Sequence, residues 1–461
     1  MFKPGVYIAR RNLLKEFVGS GVLLFLGNEE SSMSYKANVY HFRQDSHFLY
    51  FFGIDRPALA AIIDIDAGKE ILYGDELTED DLVWTGPQET IQQEAAKTGI
   101  TIVKPFKFLA ADLIVLKSQH EQIHYLPPYR PENVLKINAL LEIPFASVSL
   151  LASVAFIKGV VAQRSIKSPE EIAELEKGID LTTDMQLLAL KNAAPGQTEA
   201  YLAGQLHGLV ISSNVQLAFP TILTTEGDIL HNHYSDNIIK GGQLLLCDCG
   251  AESPMHYAGD LTRTLPVGKK FSTEQKEIYT IVLNAFEHGV SLLKPGVFYK
   301  DIHLSVCYHL VIGLKELGLM KGDAAEAVEE GAHTLFFPCG LGHMLGLDTH
   351  DMEDLGEQYV GYTEELQQSK VFGLKSLRLG RQLEQGFVLT VEPGLYFNPY
   401  LINSWSQQGK YQNFVDYSRL QRYKGFGGIR VEEDFVITDI GAKKLGKHLP
   451  ITISDIESLR E

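Results

Sequence analysis

The chain has 461 residues, 45% of them hydrophobic and 21% charged, with Lys+Arg 41 against Asp+Glu 58 and a formal net charge of −17. That length implies two domains, and the acidic balance argues against a nucleic-acid binder, because phosphate binding rests on clustered cations. No stretch of about 18 apolar residues predicts a membrane span, and four cysteines make no disulfide framework, so a cytoplasmic protein is expected.

Residues 1–163 read as an α/β domain. FRQDSHFLYFFGIDRP, rich in aromatics, predicts a half-buried strand followed by a loop. Two apolar runs between Ala60 and Glu76 flank Asp66-Ala67-Gly68-Lys69, a hairpin pattern. Nothing in this half collects His, Cys and carboxylates at ligand spacing, so it is read as structural or regulatory, or as a wall around another site.

A boundary falls at Arg164, and residues 164–461 form the second domain. Ser168-Pro169-Glu170-Glu171 is a capping box with proline at the first helical position; the helix it opens is stopped by Pro195-Gly196, and another starts near Thr198. The same order recurs about a hundred residues later, with Ser272-Thr273-Glu274-Gln275 and Pro295-Gly296. After each helical pair come strands, GQLLLCDCG and YAGDLTRTLPV, then FVLTVEPGLYF and GGIRVEEDFVIT.

These strands carry acids among aliphatic neighbours: Asp248, Asp260, Glu392 and Glu432. Period-two alternation puts Asp260, Thr262 and Thr264 on one face, and a hairpin would turn Asp248 to the same side. Any one of the acids is well explained as a solvated edge residue. Four together call for compensation, since an ionised acid in an apolar setting costs several kcal/mol. Arg263 and Arg430 are near in sequence but too few. Two divalent cations would balance the four charges. FFPCGLGHMLGLDTHD adds His343 in a glycine-rich stretch and His350 seven residues on; alone, such a histidine is more often structural than a ligand, and beside four unexplained acids that order reverses. Carboxylates with one imidazole make a hard site suited to Mn²⁺, Co²⁺ or Zn²⁺, and paired ions would activate water and polarise a carbonyl or phosphoryl oxygen.

Asp248, Asp260 in AGDLTRT, His343 in GLGHMLGLDTHD, Glu392 in LTVEPGLY and Glu432 in GGIRVEED stand in an order that resembles the aminopeptidase P and prolidase group of pita-bread metallopeptidases. The resemblance implies an α/β fold of a creatinase-like N-terminal domain and a C-terminal pita-bread domain. It implies two divalent ions, Mn²⁺ first with Co²⁺ or Zn²⁺ as alternatives. Asp260 and Glu432 would bridge both, Asp248 would chelate one, and His343 with Glu392 would hold the other. His231, with His233 as its competitor, and His350 would contact substrate, Glu392 would shuttle a proton, and Arg430 would stand beside the site. The implied reaction is hydrolysis of the amide before proline in proline-containing peptides, by a chain that forms homo-oligomers. Cys339 departs from the pattern, because many relatives have histidine there; a small buried hydrophobe is the simpler reading than a ligand.

Two features place an Xaa-Pro dipeptidase ahead of an aminopeptidase acting on longer peptides. Glu392 and Glu432 are forty residues apart, and Arg378 sits fourteen before Glu392, where prolidase-like enzymes carry an arginine for the substrate's C-terminal carboxylate. A pita-bread fold used only for binding is the contrasting reading, though such relatives usually lose metal ligands and none is lost here.

Overall fold

Residues 1–120 and 122–460 are described in a computed structural model of the chain. They form two units: Met1–Arg164 with Met352–Tyr359, and Ser165–Asp351 with Val360–Glu461. The segment from Met352 groups with the first unit because Asp354 Oδ2 lies 3.1 Å from His47 Nε2, whose Nδ1 accepts from Arg164 Nη1 at 2.8 Å.

In the first unit, β1 (Val22–Leu26), β2 (Ala60–Asp64), β3 (Lys69–Tyr73), β4 (Ile102–Lys104) and β5 (Ile123–Tyr125) make one mixed sheet in the order β4-β3-β2-β1-β5. The expected hairpin is β2–β3, in register from Asp64 opposite Lys69. Val22, Leu24, Ile62 and Tyr73 pack with Leu109, Leu113 and Ile137 on one side. On the other, Phe25 meets Phe51, Phe52 and Phe156 at ring distances of 4.9–5.3 Å.

The aromatic stretch predicted as a strand is instead the helix Ser46–Phe52, buried along its whole length. A short apolar run without alternation fits a buried helix as well as a strand. Its start decides the matter: the Asp45 carboxylate accepts from Phe48 N at 2.9 Å, an N-cap. Asp45→Ala is expected to cost about 1 kcal/mol, read as a lowered melting temperature with activity retained; unchanged melting would mean that burial alone holds the helix.

In the second unit both predicted capping boxes form, Ser168 with Glu171 and Ser272 with Gln275, opening the helices Pro169–Asn192 and Thr273–Ser291. The helices Glu199–Ser212 and Tyr299–Glu316 follow the two Pro-Gly turns. Strands β6 (Ile222–Thr224), β7 (Leu244–Cys249) and β8 (Leu261–Pro266) form one antiparallel sheet. A second sheet joins β9 (Val388–Val391), β12 (Glu433–Ile437) and β13 (Ala442–Lys444), while β10 (Gly394–Tyr396) pairs with β11 (Gly428–Arg430). The helix Pro169–Asn192 lies close on the back of β7 and β8. A Cβ at Gly178 would come within 2.6 Å of the Tyr257 carbonyl, and Gln186 Nε2 donates to the carbonyls of Cys247 and Leu261. Cys247 and Cys249 face this helix, with Cys249 Sγ 3.4 Å from the Gln186 amide, so Asp248 between them projects the opposite way. Among the described residues no helix is long and apolar enough to cross a membrane.

Candidate metal centre

Three of the four acids, Asp260, Glu392 and Glu432, sit just outside strands, while Asp248 lies within β7. Glu392 occupies the gap between β9 and β10, and Glu432 the gap between β11 and β12, where the chain passes from one sheet pairing to another. Their backbone amides bond outside their own ladders: Glu392 N donates to Leu341 O at 2.8 Å, and Glu432 N to Thr262 O at 3.1 Å. Each acid is thereby tied to a distant segment that carries another predicted ligand. The loop 341–344 runs beside β9, with Thr390 N donating to His343 O and Met344 bridged to Leu389. A side chain at Gly342 would collide with the Thr390 carbonyl, so glycine there lets His343 reach Glu392. In the β7–β8 hairpin Asp248 stands opposite Thr262, which puts Asp248 and Asp260 on one face as the alternation predicts.

Single donor atoms of Asp260, His343 and Glu432 lie within 4.8 Å of one another. Glu392 Oε1 is 3.5 Å from His343 Nε2, which is 3.4 Å from Asp260 Oδ2. A cavity of about 330 Å³ is lined by Asp248, Asp260, His343, Glu392, Glu432, Arg430, His231 and His350. Eight of the nine predicted site residues thus converge. Arg378 does not line the cavity; half-buried between Leu377 and Leu379, it is near enough for its charge to lower the His231 imidazole.

Arg430 does more than the sequence reading allowed. Its guanidinium holds Asp248 Oδ2 at 2.5 Å, Tyr396 Oη at 2.9 Å and Thr262 Oγ1 at 3.2 Å, and Thr262 donates to Glu432 Oε2 at 2.6 Å. One cation therefore does compensate one of the four acids. Arg263 instead pairs with the neighbouring Glu433 and donates to the Glu432 carbonyl.

That leaves negative charge unbalanced, and the acids register it. Burial, only partly offset by Arg430, raises Asp248 to about 6; burial raises Glu392 to about 7 against the pull of His343; burial and repulsion from Asp260 and Glu392 hold Glu432 well above the usual carboxylate range. Asp248 Oδ1 and Asp260 Oδ1 are buried without a hydrogen-bond partner. His343 Nδ1 is 3.0 Å from the Met344 carbonyl, which as an N–H···O bond leaves Nε2 as the ring nitrogen turned toward the acids, the orientation of a metal-ligating histidine. Orphaned acid oxygens, raised carboxyls and an oriented imidazole fit divalent cations.

At the rim His231 is exposed, and partial desolvation with the charges of Arg430 and Arg378 keeps it neutral by lowering its pKa. His350 packs edge-on against His343 at 4.4 Å between ring centres. The cavity also includes Phe219, Pro220, Ile222, His233, Cys339 and Thr349. Cys339 stays a neutral thiol, raised by burial and by Glu392 to about 12. Sequence reasoning missed Tyr396 and Thr349, which carry no local signal, and the role of Thr262, whose shared face with Asp260 was the available sign.

Carboxylates and one imidazole gathered at the ends of paired sheets define a metal-dependent hydrolase. Residues 173–439 match the metallopeptidase family M24, and residues 7–124 match the aminopeptidase P N-terminal domain. The chain is 31% identical to the Xaa-Pro aminopeptidase of Escherichia coli, over 98% of this chain and 96% of that one, and 29% identical to the human Xaa-Pro dipeptidase, over 95% and 88%. Its fold superposes on E. coli aminopeptidase P with the inhibitor Pro-Leu at a TM-score of 0.81 and 28% identity, covering 99% of this chain and 98% of that one. Proline aminopeptidase P II from Yersinia pestis gives the same score and identity, with 99% of both chains covered. The chain belongs to metallopeptidase family M24. It is a two-part enzyme in which an aminopeptidase P N-terminal domain precedes the hydrolase.

Proposed function

We propose that the protein is an Xaa-Pro exopeptidase that hydrolyses the amide before proline, using two divalent ions with Mn²⁺ the first choice. The orphaned oxygens of Asp248 and Asp260 beside His343, Glu392 and Glu432 carry this reading. Divalent ions bound there supply Lewis acidity, lowering the pKa of water and polarising a carbonyl. His231 and His350, which line the cavity, would hydrogen-bond the scissile carbonyl and the charge that develops on it. Glu392 would take a proton from attacking water and deliver it to the proline nitrogen. Arg430 keeps Asp248 oriented, and Phe219, Pro220 and Ile222 offer an apolar wall for a proline ring.

Within this class we favour dipeptides. The observation behind that choice is Arg378, whose charge reaches His231 at the rim and which would meet the free carboxylate of an Xaa-Pro substrate. Arg378→Met is expected to raise KM for an Xaa-Pro dipeptide about tenfold or more, the size of a lost charge-assisted hydrogen bond, while leaving kcat nearly unchanged. Turnover of Xaa-Pro and Xaa-Pro-Yaa-Zaa by the Mn²⁺-loaded enzyme tests both points. Fast cleavage of the tetrapeptide with little of the dipeptide would reverse the preference, and cleavage of neither would remove the Xaa-Pro assignment.

A further inference from the structure

Away from the acidic cavity, the described residues contain a second cluster with the composition of a metal site. His303 and Cys307 stand one turn apart on the helix Tyr299–Glu316, and His333 comes from the short 3₁₀ turn Ala332–Leu335. One donor atom from each lies within 4.8 Å of the others. All three are sealed from solvent, at 1%, 0% and 2% exposure.

The cluster is not satisfied as a set of hydrogen bonds. Cys307 Sγ and His303 Nε2 are 3.5 Å apart, but Nδ1 of His303 and Nδ1 of His333 are both buried without a partner. A buried imidazole nitrogen without a partner is destabilising, and two beside one thiol is a poor way to fill a core. Burial lowers His303 to about 3 and His333 to about 4, so both imidazoles are neutral and able to donate lone pairs. The donor set differs in kind from the catalytic one. It has no carboxylate among its three groups, and two nitrogens with one sulfur favour soft ions.

We propose that His303, Cys307 and His333 form a buried site for a thiophilic cation, best matched by Cu⁺. Three donors suit the low coordination numbers of Cu⁺, whereas structural Zn²⁺ sites close with four. Charge points the same way. One thiolate neutralises a monovalent ion, while a divalent one would leave a net positive charge in a closed core. On binding, the Cys307 S–H bond breaks, its proton passes to solvent as the S–Cu bond forms, and copper supplied as Cu⁺ stays in that oxidation state. Cys339 lies near enough to raise Cys307 electrostatically and lines the acidic cavity. A filled site would tie the helix to the turn that leads into the His343 loop.

The full chain, loaded with Mn²⁺ and kept anaerobic, is titrated with Cu⁺ against a competing chelator. One equivalent should bind, with thiolate-to-copper absorption in the near ultraviolet, while Mn²⁺ stays bound. X-ray absorption at the copper edge should show one sulfur and two nitrogen neighbours, a readout that needs no variant. Cys307→Ala should abolish the band, His333→Gln should weaken binding at least tenfold, and Cys339→Ala should leave it intact. Absence of sulfur around copper, a band that survives Cys307→Ala, or displacement of Mn²⁺ by the first equivalent would each overturn the proposal. None of these readouts depends on which peptides the enzyme cleaves.

Discussion

Metal-free protein carrying Glu432→Gln is expected to melt at least about 2 °C above the metal-free parent, while losing metal and at least about 10³-fold in kcat/KM. Glu432 is 2% exposed and faces Asp260 and Glu392, so without a cation its ionisation is opposed by burial and by like charge. The sign follows from linkage. The folded carboxyl has a raised pKa, so above about pH 4.5 the unfolded chain has released a proton that the folded chain still holds. Stability of the metal-free parent therefore falls as pH rises from there toward the folded pKa. Glutamine keeps the shape and the bond from Thr262 without that penalty. The stabilisation should vanish below about pH 4, where the acid is protonated in both states. With Mn²⁺ present the order should invert, because the parent gains binding free energy that the variant lacks. Paired melting curves with and without metal, at pH 4 and pH 7, check this. A metal-free variant less stable than the parent at pH 7 would mean that Glu432 is compensated by the protein itself.

Arg430→Met should lower the unfolding free energy by about 3–5 kcal/mol, the typical result of removing one partner from a buried ion pair. The guanidinium is 3% exposed and serves Asp248, Tyr396 and Thr262 together. Arg430→Lys should recover little, because one ammonium cannot span three acceptors set at different angles. Adding Asp248→Asn to Arg430→Met should restore at least about 2 kcal/mol, since the acid left buried without its cation is then neutral. Denaturant unfolding of the four proteins in the cycle measures that coupling. Additive losses would show that Arg430 acts mainly through packing. Activity should not return in the double variant, because Asp248 would no longer be an anionic ligand.

The stop and start chemistry of the long helices was legible because it is local: Ser168 with Glu171 and Ser272 with Gln275 satisfy amides three residues away. Asp248 and Asp260 sharing a face was legible for the same reason, since period-two geometry and one hairpin suffice. The segment from Ser46 to Phe52 was misread because burial on every side erases the periodicity that separates helix from strand.

Residue types and order alone therefore pointed to the acids and histidines that line the cavity and to the demand for compensating positive charge, because that demand follows from composition in an apolar setting. How the demand is met came from long-range contacts. Arg430 reaches Asp248 across 182 residues and Arg263 turns to Glu433 across 170, pairings set by which strands lie side by side. The same packing brings His303, Cys307 and His333 together. Spacing along a chain encodes faces and caps, whereas the partner of a buried charge depends on distances that arise only once sheets and helices have closed on one another.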